Sequence, residues 1–244
     1  MKNVKLTVEY DGTLFYGWQR QKNDRSVQEE IEKGLSKIMK KNVKINGSGR
    51  TDARVHGLRQ IANFREEFTI PIERIPVALN SILPDDIAII NAELAEENFH
   101  ARYDAVGKKY IYKIYNDPYR SPLWRNYAYY VGDELDLDKM IKASKAFIGT
   151  HDFIGFMSSG SSVVDTVRTI YDLRIHREGP LITIEIKGNG FLYNMVRIIV
   201  GTLVEVGKGK KSVDEMGKII ESRSRKRAGH TAPAQGLYLS HVYY

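Results

Sequence analysis

Cysteine is absent from this 244-residue chain. That excludes disulfides, thiolate catalysis, zinc fingers and iron–sulfur clusters together. No apolar run approaches the roughly 18 residues of a membrane span, and Met1–Tyr10 alternates in polarity instead of forming a signal-peptide core. A soluble, intracellular and cytoplasmic protein without a membrane partner is the expectation. Paired metal-ligand spacing is missing too: His56, His100, His151, His176, His230 and His241 are scattered. The glycines are followed by no Gly-Lys-Ser/Thr, so there is no Walker loop, and Gly47-Ser48-Gly49 has the wrong spacing for a hydrolase elbow. With 42% hydrophobic and 27% charged residues, disordered and fibrous classes are excluded as well.

What is present is an uneven charge. The 37 basic and 30 acidic residues leave a net +7. Residues 1–104 balance at 16 basic against 16 acidic, whereas residues 105–244 carry 21 against 14, so the whole excess lies in the second part. Such a half is an electrostatic footprint for a polyanion, although charge alone does not name one.

Hydropathy patterning divides the chain in the same place. Val4, Leu6, Val8 and Tyr10 alternate with Lys5, Thr7 and Glu9, the period of a half-buried strand. A helix is predicted from Ser26, with Ser26 and Glu29 as a capping box and Val27, Ile31, Leu35 and Ile38 as its apolar stripe. Strands over Asn42–Asn46 and Leu58–Phe64, a helix near Ile72–Ser81 and a strand near Ile87–Glu93 complete a split βαβ order. The second part predicts strands at Lys109–Tyr115 and Tyr127–Val131, then a helix through Leu137–Ile148. A hairpin of Val167–His176 and Leu181–Lys187 follows, then an apolar helix from Leu192 to near Gly207, a short helix near Ser212–Ser222 and a last strand, Leu237–Tyr243. This gives an N-terminal α+β domain, residues 1–104, and a C-terminal basic α+β domain, residues 105–244. No Pro- or Ser-rich linker marks the boundary near Tyr103–Gly107.

Two segments stand out chemically. Residues 47–57 hold three glycines and place Asp52 between Arg50 and Arg54, which favours a carboxylate that can act as nucleophile or charge partner. The plain alternative is an aspartate that caps a turn and pairs with an arginine. Residues 10–21 interleave Tyr10, Phe15, Tyr16 and Trp18 with Gln19 and Arg20. That composition suits stacking on unpaired bases, or a loop whose aromatics fold back into the core.

Gly49-Arg50-Thr51-Asp52-Ala53-Arg54-Val55-His56 resembles the catalytic signature of the tRNA pseudouridine synthase A family. Four further segments resemble the same family in order: Tyr10–Gln21, Phe99–Tyr112, Gly188–Arg197 and Ala232–Leu237. Together they span nearly the whole chain. The resemblance implies two ferredoxin-like halves with mainly antiparallel sheets flanked by helices and an RNA-binding cleft between them. It also implies isomerisation of uridine to pseudouridine at positions 38, 39 and 40 of the tRNA anticodon stem-loop, with no cofactor or metal, by a homodimer.

By the same resemblance Asp52 is the nucleophile, with attack at the ribose C1′, assistance to glycal formation and attack at the base all open to it. Arg197 is its cationic partner, Tyr110 stacks on the target base and Arg50 helps extrude or hold the nucleotide. Arg54, Gln19 and Lys109 are expected substrate contacts. Taken alone, Arg197 reads as an arginine binding a backbone carbonyl, and Tyr110 as a packing tyrosine. Clusters at Lys108-Lys109, Lys208-Lys210-Lys211 and Arg223-Arg225-Lys226-Arg227 are candidate RNA contacts or solvated faces. Tyr127, Tyr129 and Tyr130 hint at a dimer surface. Two rival functions stay open: an RNA-binding module in which Asp52 only braces arginines, and a phosphate-binding hydrolase.

Overall fold

The computed structural model of the protein describes residues 1–160 and 163–244. In chain order its elements are β1 (Lys2–Tyr10), α1 (Val27–Met39), β2 (Asn46–Gly47), β3 (His56–Glu66), α2 (Ile75–Asn80), β4 (Ile87–Ala95), β5 (Gly107–Asn116), β6 (Tyr129–Val131), α3 (Leu137–Ser144), β7 (Gly149–Asp152), β8 (Val167–Glu178), β9 (Leu181–Gly188), α4 (Met195–Gly207), α5 (Met216–Glu221) and β10 (Leu237–Tyr243). They make two units, Met1–Val106 with Tyr238–Tyr244, and Gly107–Leu237. A C-terminal domain running to residue 244 therefore gives up its end. The reason is a parallel pairing of β10 with β3, Tyr238 opposite His56 and Leu239 opposite Gly57.

In the first unit β4, β1, β3 and β2 lie in that order, each antiparallel to its neighbour, with β10 parallel to the start of β3. This is the split βαβ arrangement that the element order implies. Val4, Leu6, Val8 and Tyr10 point to one face of β1 and share a core with Val27, Ile31 and Leu35 of α1 and Ile75 and Leu79 of α2. Each such side chain contributes about 1.5–3 kcal/mol by leaving water, so Leu35→Ala is expected to cost about 2–5 kcal/mol.

The capping box expected at Ser26 does not form. Its side chain makes no cap hydrogen bond, because the carbonyls of Gly17 and Trp18 already accept from the Val27 and Gln28 amides at 3.3 and 3.0 Å. A capping box does occur at Ser212 and Glu215, ahead of α5. The strand expected over Asn42–Asn46 shrinks to β2. Val43 and Ile45 are buried, but their amides donate to Ser36 Oγ (3.0 Å) and Glu32 Oε1 (3.2 Å) of α1 instead of to a strand.

In the second unit the order is β5-β9-β8-β7, antiparallel throughout, with β6 parallel to the end of β5. The β8–β9 hairpin turns through Gly179 (φ +57°) and places β9 beside β5. The unit is thus a variation on the first and not a copy of its order. Tyr110, Tyr112 and Ile114 share the buried face of β5, opposite Ile186, Ile184 and Ile182. Helix α4 is buried on nearly every side, as an all-round apolar helix must be. Among the described residues, no helix is long and apolar enough to cross a membrane.

Candidate active-site residues

Within the first unit, the two segments that the sequence singled out pack directly on one another. Gly12 approaches so closely that a Cβ there would lie 2.1 Å from the Val55 carbonyl oxygen. Gly17, at φ +99°, would meet the Thr51 oxygen at 2.5 Å. Gly47 and Gly57 lie flat against the Trp18 and Tyr10 rings, where a Cβ would fall 2.3 Å from each. Backbone hydrogen bonds run alongside these approaches: Trp18 N to Thr51 O at 3.1 Å and Arg54 N to Phe15 O at 3.1 Å.

Side chains finish the support. Tyr10 OH and Thr51 Oγ1 are hydrogen-bonded at 2.8 Å. The buried Gln60 of β3 accepts from Ser48 Oγ (2.5 Å) and donates to the Gly49 carbonyl (3.0 Å). His56 is buried, accepts from the Gly12 amide at 3.0 Å and stacks on Tyr238. The turn therefore has little freedom between Ser48 and His56. Asp52 is half-buried at its outer edge, its carbonyl accepting from Val55 N at 3.2 Å.

Arg50 and Gln19 come together, Arg50 Nε donating to Gln19 Oε1 at 3.1 Å. Arg54 is exposed, with a left-handed backbone at φ +67°. The loop's aromatics divide differently from the stacking expectation. Tyr10, Phe15 and Trp18 are core, and only Tyr16, 59% exposed, faces out.

Within the second unit, α4 starts at Met195 because Asn194 takes a left-handed conformation, φ +61°. Instead of capping the helix, the Asn194 side chain accepts from Arg197 Nη1 at 2.7 Å and donates to Ser158 Oγ at 2.9 Å. Arg197 Nε donates to the Ala232 carbonyl at 2.7 Å, and its own carbonyl accepts from Ala232 N at 3.0 Å. The 229–232 segment can lie this close because position 201 is glycine; a Cβ there would sit 1.9 Å from the His230 oxygen. Arg197 thus binds a backbone carbonyl, the plain reading, and that bond with the one to Asn194 fixes its guanidinium.

Tyr110 is 9% exposed, with Phe191 edge-on to its ring at 5.1 Å. Lys109 follows the strand alternation onto the opposite face, where it pairs with Glu185 at 3.1 Å. The basic clusters are partly engaged internally: Lys208 with Asp133, Lys211 with Glu205, Arg223 with Asp152, and Arg225 with the Gly229 carbonyl. Lys210, Lys226 and Arg227 are exposed.

Sequence reasoning missed Asn194, Gln60 and Ser158. Asn194 carried a signal, an amide at the threshold of an otherwise apolar helix; Gln60 carried another, since the strand period puts it on the same face as Leu58, Ala62 and Phe64.

A half-buried carboxylate on a rigid turn, flanked by exposed arginines, suits an enzyme that acts on an anionic substrate. The chain's relatives give that class its name. The profile of the tRNA pseudouridine synthase family matches residues 6–104 and 143–244. The chain is 53% identical to tRNA pseudouridine synthase A of Acetivibrio thermocellus over 244 residues, covering the whole of both. Against the proteins of that name from Thermoanaerobacter sp. and Caldicellulosiruptor bescii, identity is 50% and 48%, again over the full length of each. The chain belongs to the tRNA pseudouridine synthase family and is an isomerase acting on tRNA uridine.

Proposed function

We propose that the chain isomerises uridines 38, 39 and 40 of the anticodon stem-loop, with Asp52 as nucleophile. The observation that carries this reading is the Asp52 turn, a half-buried carboxylate on a loop locked by four close glycine approaches. The reaction breaks the N1–C1′ bond and forms a C5–C1′ bond; the C5 proton leaves to solvent and N1 gains one, so atoms balance. A carboxylate is the group this chain offers for that exchange, and it acts only if ionised where water is scarce.

Arg197 supplies the cationic charge for this chemistry. Its two short hydrogen bonds hold the guanidinium in one orientation before substrate arrives, so little reorganisation is needed in the reaction. Tyr110 presents a ring whose tilt Phe191 fixes, suited to stacking on the target base. Arg50, held by Gln19, and the exposed Arg54 take the nucleotide's phosphates, which fits a base that must leave its stack. Lys109 contributes at most from its own face of β5. Adjacent target uridines call for recognition by shape and backbone. The working protein is a cytoplasmic homodimer and needs neither metal nor cofactor.

Tritium release tests the reading. tRNA transcribed with uridine tritiated at C5 should lose label to water in step with conversion of its target uridines. Tight binding with no release would leave a binding module, and release of phosphate or cleavage of the chain would point to a hydrolase.

A further inference from the structure

The segment between β5 and β6 encloses a cavity of about 390 Å³ that includes none of Asp52, Tyr110 and Arg197. Its walls carry three aromatic rings, Tyr115, Trp124 and Tyr130, with Arg120, Arg125 and Gln235 beside them and no carboxylate among the lining residues. Trp124 and Tyr130 have partners in the fold before any ligand arrives. Trp124 N donates to Ser121 Oγ at 3.4 Å, its carbonyl accepts from Tyr127 and Ala128, and the Lys113 ammonium stands 5.5 Å from the ring centroid. Tyr130 OH donates to the Pro118 carbonyl at 2.9 Å. Arg120 and Arg125 are exposed.

We propose that this cavity holds an unpaired nucleotide of the substrate tRNA other than the one isomerised, its base on Trp124 and its phosphate on Arg120 and Arg125. The inference rests on tRNA being the substrate. A planar ring fits aromatic walls whatever its sequence, because every base has a π-face. Paired guanidinium groups match phosphate oxygens through fixed, forked donors. The volume is within the range of cavities that take small ligands and nucleotides.

Tyr119 and Leu123, 82% and 83% exposed on the same segment, make a second copy of this chain the competing occupant. Charge favours RNA: residues 1–104 of a second copy are balanced and residues 105–244 would bring like charge to the two arginines, whereas RNA brings the opposite charge.

The experiment measures full-length tRNA affinity for wild type, Trp124→Ala, Trp124→Phe and the double variant Arg120→Ser/Arg125→Ser, with sedimentation and melting in parallel. The chain has two tryptophans, and Trp18 is buried, so quenching of emission by tRNA reports Trp124. Wild type should quench. Trp124→Ala should bind about 5–100-fold more weakly and Trp124→Phe should keep most of the affinity. The arginine pair is exposed, so its variant should melt normally while its log–log salt slope falls by about one to two. Wild-type affinity and slope in these variants would overturn the proposal. So would a shift of Trp124→Ala toward monomer with tRNA affinity per protomer unchanged, which assigns the cavity to a second copy. Isomerisation is read separately by tritium release, so the proposed reaction and this cavity fail independently.

Discussion

Asp52 and Arg197 are supported in opposite ways. Around Asp52 the backbone itself is the support: glycines 12, 17, 47 and 57 let chain and rings approach to distances that no side chain would permit. Around Arg197 the support is side-chain chemistry, an asparagine and a carbonyl each 2.7 Å from a guanidinium nitrogen. Shape fails abruptly, because a Cβ in a filled space must push backbone aside. Hydrogen bonds fail by degrees, because one partner can be removed at a time. The proposed nucleophile must keep one position through the reaction, and Asp52 sits on the turn that is held by shape.

The largest expected effect separates chemistry from support. Asp52→Asn should lower single-turnover isomerisation by roughly 10⁴-fold or more while leaving melting nearly unchanged, since asparagine is nearly isosteric and keeps the carbonyl acceptor. Next comes the support itself. Gly12→Ala should lose about 1–3 kcal/mol or more in denaturant unfolding, and activity with it. A well-folded, active Gly12→Ala would show that the turn is not held by close approach.

The Arg197 corner should respond in steps. Arg197→Lys, which cannot bridge both acceptors, is expected to lose roughly 10²-fold in rate. Asn194→Gly keeps the left-handed backbone and removes only the amide, so it should lose roughly tenfold. Equal losses in the two variants would mean that Asn194 acts on the fold and not on the guanidinium.

The smallest effect concerns acid. Burial raises the Glu205 pKa, but the hydrogen bonds from His230 and the nearby Lys211 outweigh it and hold the carboxyl below its ordinary value. A carboxylate whose pKa is depressed on folding adds stability at neutral pH that fades as pH falls through the folded pKa, which for Glu205 lies below the ordinary glutamate value. Melting of wild type and Glu205→Gln should therefore differ at pH 7 and converge in acid. A constant gap down to pH 3 would contradict this.

Much of the fold was legible because it rests on period. The β1 alternation and the apolar run of α4 each state their own burial, and Leu237–Tyr243 reappears as β10 residue for residue. What was not legible depends on groups far along the chain. Ser26 reads as a cap, and only the folded chain shows Gly17 and Trp18 occupying the amides it would have served. Val43 and Ile45 read as strand, yet their amides belong to α1. At the candidate site, the Asp52 turn stood out from its neighbours in sequence, whereas Gln60 and Asn194 hold partners that only folding brings near. Pro76 likewise lacks a donor, so the helix expected from Ile72 begins as a 3-10 turn and becomes α2 only at Ile75.

The most direct measurement is a map of pseudouridine along a full tRNA transcript after one turnover with excess enzyme, run with wild type and with Asp52→Asn. The account expects pseudouridine at uridines 38, 39 and 40 with wild type and none with the variant, at equal tRNA affinity. Modification confined to another part of the tRNA would contradict the proposed substrate positions, and near-normal modification by Asp52→Asn would contradict the nucleophile on which the account rests.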